Sequence, residues 1–147
     1  MRRSSAVLLI VLTACGGSTG PRSPLAGSWC ADLFASGYVD LVLRDVLGGP
    51  SVWGTAEVWE GHAVTPPVNG RVTGEFISDD EIELVFARFG SFGEQVFRGE
   101  LSVLPGPEDE IPDDLLVGVL ELRSPTVVRD EHLVFRRIRV GPNPCDR

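Results

Sequence analysis

The sequence predicts an all-β domain of about eight antiparallel strands that form a small up-and-down barrel. Two observations predict this fold. Apolar residues recur at every second position in several segments, and clusters of glycine, proline, asparagine and aspartate separate those segments. The connections are short, which favours antiparallel neighbours. A β-sandwich has the same periodicity and is the alternative architecture.

The clearest alternating segment lies at 68–76. There Val72 and Phe76 share one face with two glycines, whereas Arg71 and Glu75 lie on the other face, as in a strand with one buried side. The remaining strands are predicted around Trp29 and at 39–43, 52–58, 82–86, 97–103, 116–122 and 133–135. Turns are expected at 78–80 and 90–93, because serine, aspartate and glycine favour them.

Glycine recurs inside the predicted strands, with an apolar residue two positions away on each side. The pattern occurs at 68–72, 72–76, 97–101 and 116–120. Glycine weakens a strand unless the strand bends sharply or packs closely, and small barrels need such bends. The pattern therefore favours a closed barrel over a sandwich. Small residues on the inner face would also leave room for a ligand.

The first residues have the features of an export signal. Arg2 and Arg3 precede an apolar run at 6–12, too short to span a bilayer, and Leu12-Thr13-Ala14-Cys15 ends it. This ending resembles the lipobox of bacterial lipoproteins. The resemblance implies that Cys15 is lipidated and begins the mature chain. An ordinary secretory signal with a coincidental cysteine is the alternative.

Three regions follow: a signal peptide at 1–14, a flexible tether at 15–24 that is rich in turn formers, and a barrel domain at 25–147. The lipid anchor implies a place in the bacterial cell envelope. Gly16 follows the cysteine, where an aspartate signals inner-membrane retention in some bacteria. The outer membrane is therefore favoured, with the domain facing the periplasm or the cell surface.

The mature chain is strongly acidic. Loss of Arg2 and Arg3 from the 13 basic residues leaves 11 against 21 acidic residues, a net charge of −10. Such a chain repels phosphate backbones, so no nucleic-acid partner is expected. Contact with the membrane is expected through the lipid anchor and not through basic side chains.

Cys30 and Cys145 remain after Cys15 is assigned to the lipid. Two cysteines in an exported protein predict one disulfide, because the compartment is oxidising. The bridge would join the beginning of the domain to its end. A two-cysteine metal site is the alternative, but it lacks nearby ligands, so no metal is expected.

The domain opens with Leu25-Ala26-Gly27-Ser28-Trp29 before its chain of hairpins. This opening resembles the calycins, the group that contains lipocalins and avidins, whose first strand carries Gly-x-Trp. The resemblance implies that Trp29 closes one end of the barrel and that an arginine near the last strand packs over it. Arg137 is the candidate, because it shares a face with Leu133 and Phe135. Ala31 stands where avidins have a biotin-contacting asparagine, which argues against biotin.

Catalytic chemistry has little support in this sequence. His62 and His132 have no partners at catalytic or metal-ligand spacing. Adjacent carboxylates such as Asp113 and Asp114 are typical of turns, and the acidic connection at 105–114 lacks the spacing of a known calcium loop. We therefore expect no enzyme activity and no cofactor.

Trp53 and Trp59 lie on the face opposite Val52 and Val58. If that face points outward, two large aromatic residues could contact a ligand or partner. If the register differs by one residue, they fill the barrel instead, and core filling is slightly favoured. The leading functional hypothesis is a small hydrophobic ligand inside the barrel. The alternative is a solid barrel that docks another envelope protein through Trp53 and Trp59.

Overall fold

The structure is a computed structural model and describes residues 23–33, 37–46, 49–61, 66–104, 113–139 and 145. Eight antiparallel strands form a closed barrel in which each strand pairs with its neighbour in sequence, and β8 pairs with β1. The strands are β1 Gly27–Leu33, β2 Gly37–Asp45, β3 Val52–Trp59, β4 Val68–Phe76, β5 Glu81–Phe86, β6 Gln95–Leu104, β7 Asp113–Arg123 and β8 Val128–Ile138. The predicted all-β, eight-stranded barrel is confirmed, and the sandwich alternative is wrong because the sheet closes.

The two-residue alternation decides which side chains face the interior. On β4, Val72 and Gly74 are buried whereas Arg71, Thr73 and Glu75 are exposed. The same alternation around the barrel produces one continuous apolar core. Burial of each large apolar side chain contributes roughly 1.5–3 kcal/mol, so the interior is the main source of stability.

An aromatic side chain occupies the space beside one pair of inner glycines. Gly99 and Gly118 lie opposite each other on β6 and β7. A Cβ atom on either would lie 2.8 or 2.7 Å from Cζ of Phe97, so this ring covers the glycine pair. Phe97 also packs edge-on against Phe135, with ring centroids 5.4 Å apart. At this pair, the missing side chains accommodate the protein's own aromatic residues.

The disulfide between Cys30 and Cys145 is confirmed, with Cα atoms 6.1 Å apart across a separation of 115 residues. Trp29 and Ala31 share the inner face of β1, which places Cys30 between them on the outer face. The bridge therefore holds Cys145 against the outside of the first strand. A bridge of this kind contributes typically about 2–4 kcal/mol.

The end of the barrel where β6 begins is closed by Phe89 and Gln95. Phe89 is buried in the connection after β5 and packs edge-on against Phe86, with centroids 5.1 Å apart. The Gln95 amide donates to the carbonyl oxygen of Arg123 at 2.8 Å and accepts from the backbone N–H of Arg123 at 2.5 Å. These bonds satisfy a buried polar side chain and join β6 to β7.

Two carboxylates that the sequence assigned to a turn lie elsewhere. Asp113 and Asp114 are the first residues of β7. The turn interpretation is therefore wrong at this pair, because the strand begins earlier than the apolar residues at 116–122 indicate. The preceding residues 105–112 of the acidic connection lie outside the described residues.

Candidate functional site

Trp29 lies at the end of the barrel where β1 begins. Its side chain is fully buried, and its indole N–H donates to the carbonyl oxygen of Leu25 at 2.9 Å. Arg137 is the residue directly opposite on β8, and its Cζ lies 4.2 Å from the centroid of the Trp29 ring. A cation this close to an indole face makes a favourable cation–π contact.

The Arg137 guanidinium is held by the residues around it. Nη1 donates to the carbonyl oxygen of Ala26 at 2.6 Å, and Nη2 donates to the carbonyl oxygen of Pro24. Nε lies 2.6 Å from a carboxylate oxygen of Asp114. These contacts occupy the guanidinium and join β8 to the segment before β1 and to β7. The pair of Trp29 and Arg137 therefore stabilises the barrel and is a poor ligand site.

Gly27 explains why a glycine precedes the tryptophan in this opening. Its φ is +141°, a conformation that other residues rarely adopt. A Cβ atom there would lie 2.5 Å from Nη1 of Arg137. The missing side chain therefore leaves the space that Arg137 occupies above Trp29.

Trp53 and Trp59 lie on the outer face of β3, so the prediction that they fill the barrel is wrong. Their neighbours Val52 and Val58 are buried inside. Trp53 is 48% exposed, whereas Trp59 is half-buried and stacks on Tyr38 with centroids 5.4 Å apart. The two positions are six residues apart along the strand, a distance of about 20 Å, so they cannot share one small site.

Trp53 lines a groove on the outer surface with a volume of about 270 Å³. The groove crosses β3, β4 and β5, because Trp53 pairs with Thr73 and Thr73 pairs with Val85. Two residues further along, at the next outward-facing position, Glu75 pairs with Glu83. The lining residues are Val46, Ser51, Val52, Trp53, Thr73, Gly74, Glu75, Glu83 and Val85. We call this feature the Trp53 groove.

The two carboxylates of the Trp53 groove have different surroundings. Glu83 accepts a hydrogen bond from Nε of Arg98 at 2.9 Å, and Nη1 of Arg98 lies 2.7 Å from Glu121. The hydrogen bond and charge of Glu83 raise the pKa of Arg98, so this residue stays cationic. Glu75 is exposed and forms no ion pair with another described residue. Glu75 is therefore the carboxylate available to a ligand.

Glu75 and Glu83 were not predicted as site residues. A signal for them existed, because the turn at 78–80 joins two alternating strands. A hairpin centred on that turn places Glu75 and Glu83 opposite each other, both on the polar face. Val46 and Ser51 had no comparable signal, because they join the groove only through the folding of the connection between β2 and β3.

Other predicted residues lie outside any clustered site. Cys15 and His62 fall outside the described residues, and His132 is exposed on the outer face of β8. In the described ranges, no three His, Cys, Asp or Glu residues are grouped so that they could hold a metal ion. The same residues include no helix long and apolar enough to cross a membrane.

Trp29 is therefore buried at the end of the barrel where β1 begins, whereas Trp53 faces solvent beside a groove. Trp53 is 48% exposed and lines this groove, so its ring is accessible to another molecule. No protein-family model, no curated protein and no solved structure matches the chain.

Proposed function

We propose that this chain is a lipid-anchored protein of the bacterial cell envelope whose calycin-like barrel is a non-catalytic binding module. It docks another envelope protein through the Trp53 groove. The observation that carries this proposal is the half-exposed Trp53 beside a groove on the outer surface. Large aromatic residues that are exposed next to polar groups are typical of interface centres.

The packing of the interior supports binding on the outside. Trp29, Phe86, Phe97 and Phe135 are among the fully buried side chains that point into the barrel. The ring of Phe97 also takes the space beside Gly99 and Gly118. Aromatic side chains that occupy the interior in this way favour binding on the exterior of the barrel.

Lipid anchoring at Cys15 is supported by the lipobox-like Leu12-Thr13-Ala14-Cys15 and by the disulfide, which suits an oxidising compartment. Expression in a bacterial host with a Cys15→Ser variant as control tests the anchor. We expect the wild-type chain in the membrane fraction, with an intact mass that includes diacylglycerol. A membrane-free wild-type chain without added lipid mass would contradict the anchor.

Docking is tested by placing a photo-crosslinking amino acid at Val85 in intact cells, because Val85 lines the Trp53 groove. We expect one crosslinked adduct that disappears when Trp53→Ala is added. Position 134 is the matched control, since Val134 is 41% exposed on the outer face of β8, away from the groove. An adduct that survives Trp53→Ala, or equal capture from position 134, would refute docking through this groove.

A small hydrophobic ligand inside the barrel is the second candidate. It is favoured by the lining of the interior, where Gln95 is the one buried polar side chain among the described residues. Native mass spectrometry of the protein purified from cells, with a hydrophobic-dye titration, tests it. Bound ligand or saturable dye uptake displaced by fatty acid would support it, and neither would occur in a filled barrel.

A further inference from the structure

We propose that the Trp53 groove binds a basic side chain of the partner protein, with arginine as the best fit. This inference rests on the proposed docking function and specifies its chemistry. Three features carry it: the face of the indole, the charge of the groove and the apolar residues between them.

The indole of Trp53 already contacts one guanidinium. Cζ of Arg44 lies 5.7 Å from the centroid of the Trp53 ring, within the distance at which a cation is attracted to an aromatic face. Arg44 lies on β2, whereas the groove extends from Trp53 across β4 and β5. The groove therefore extends from Trp53 across the strands on the side away from the strand that carries Arg44.

The charge of the groove favours a cation. Glu75 and Glu83 are directly opposed on neighbouring strands, and like charges in that arrangement repel each other. Arg98 forms ion pairs with both Glu83 and Glu121, so it compensates the charge of Glu83 only in part. A cation from outside that reaches Glu75 would relieve the repulsion that remains. The net charge of −10 expected for the mature chain would also speed the approach of a basic partner.

The other lining residues suit a long side chain with a charged end. Val46 and Val85 offer apolar contact, and the hydroxyl groups of Ser51 and Thr73 can accept hydrogen bonds. Arginine and lysine bury their methylene groups along apolar surface while the charged end stays near water or a carboxylate. Arginine is favoured, because its planar guanidinium both stacks on indole and binds carboxylates.

The test uses the lipidated mature chain in phosphatidylcholine nanodiscs, with ¹⁵N-labelled tryptophan. N-acetyl-arginine amide is titrated against the indole N–H resonance of Trp53. N-acetyl-citrulline amide is the uncharged probe of the same shape. We expect a saturable shift with arginine, with a dissociation constant on the order of 1–10 mM, and no saturation with citrulline. Equal shifts with the two probes would overturn the inference.

Matched variants separate the groove from the general charge of the protein. Glu75→Gln should weaken arginine binding about threefold, as expected for one exposed ion pair. Glu57→Gln removes the same charge from the outer face of β3 without lining the groove, and it should change binding by less than about 1.5-fold at physiological salt. Arg44→Gln should tighten binding about twofold, because it removes a competing positive charge. Equal weakening by Glu75→Gln and Glu57→Gln would refute a site in the groove.

The crosslinking experiment distinguishes the two proposals. A Trp53-dependent adduct at Val85 together with a flat arginine titration would leave docking in place and remove the basic side chain. Loss of both signals would remove both proposals. The indole resonance of Trp29, which is fully buried, reports in every variant whether the barrel is folded.

Discussion

In the described part of the chain, arginine lies against tryptophan at two places, one at the end of the barrel where β1 begins and one on the outer surface. In the first, the fully buried Trp29 lies 4.2 Å from Cζ of Arg137, which also bonds two carbonyl oxygens. In the second, Trp53 is 48% exposed and lies 5.7 Å from Cζ of Arg44. The same two residue types are therefore used in two different ways. The buried pair holds strands together, whereas the exposed pair leaves a ring accessible to a partner.

The physical difference between the pairs is the amount of water around the cation. A cation–π contact is worth about 0.5–1 kcal/mol when exposed and about 2 kcal/mol or more when desolvated. The Nη1 and Nη2 atoms of Arg137 also donate to fixed carbonyl oxygens, which offsets part of the cost of burying its charge. The comparison predicts that substitutions in the first pair affect stability and that substitutions in the second pair affect binding.

The largest expected effect is that of removing the buried ring. Trp29→Ala should lower the free energy of unfolding by about 3–5 kcal/mol, because it leaves a cavity in the core. Trp53→Ala should change it by less than about 0.5 kcal/mol, as is usual on a surface. Urea unfolding with the disulfide intact measures both. Equal losses would show that Trp53 is a structural residue and would remove the contrast between the pairs.

The next effect concerns the strand that carries Trp29. Replacing Cys30 and Cys145 together by serine should lower the free energy of unfolding by about 2–4 kcal/mol, because the bridge restricts the unfolded chain. Arginine binding by the folded variant should stay the same, since Cys30 lies on β1, away from the Trp53 groove. Chemical denaturation and the arginine titration check these two expectations, and unchanged stability would contradict the first.

A substitution at Gly27 tests the pair of Trp29 and Arg137, at the end of the barrel where β1 begins. Gly27→Ala should destabilise by about 1–3 kcal/mol from backbone conformation, with a further loss because the new Cβ meets Arg137. Gly93→Ala is the matched control, since Gly93 also has a positive φ but no atom within 4 Å of such a Cβ. Thermal unfolding of the two variants measures the difference. Equal losses of stability in the two variants would show that contact between the new Cβ atom and Arg137 adds nothing to the effect at Gly27.

The smallest expected effects on the free energy of unfolding come from replacing arginine by lysine, which keeps the charge but removes the planar guanidinium. Arg137→Lys should cost about 1–2 kcal/mol, because lysine cannot bond both carbonyl oxygens while it covers the ring. Arg44→Lys should stay within about 0.5 kcal/mol of wild type, since its contact with Trp53 is exposed. Paired urea titrations resolve this difference, and a larger cost at Arg44 would reverse the assignment of the two pairs.

The position of Trp53 shows why the fold was easier to predict than the site. Val52, Gly54, Ala56 and Val58 form the inner face of β3, but they are small, and hydrophobicity alone favoured the two tryptophans for the core. Leu41 pairs with Ala56, and Leu43 pairs with Gly54. The large residues of β2 therefore fill the interior beside the small residues of β3. Large residues on one strand compensate for small residues on its neighbour. The side-chain volume that faces the interior therefore cannot be predicted from one strand alone.

The sequence by itself determined the strands and, except on β3, their inner faces, because the two-residue period of a strand is a local property. It also contained the cysteine pair and the Gly27–Trp29 opening. The contact of Arg137 with Trp29 was expected from the resemblance to calycins, whereas only the tertiary structure decided that Glu75, Glu83 and Trp53 share a groove. Those contacts depend on the register between strands, which is set by the whole barrel as it closes and packs.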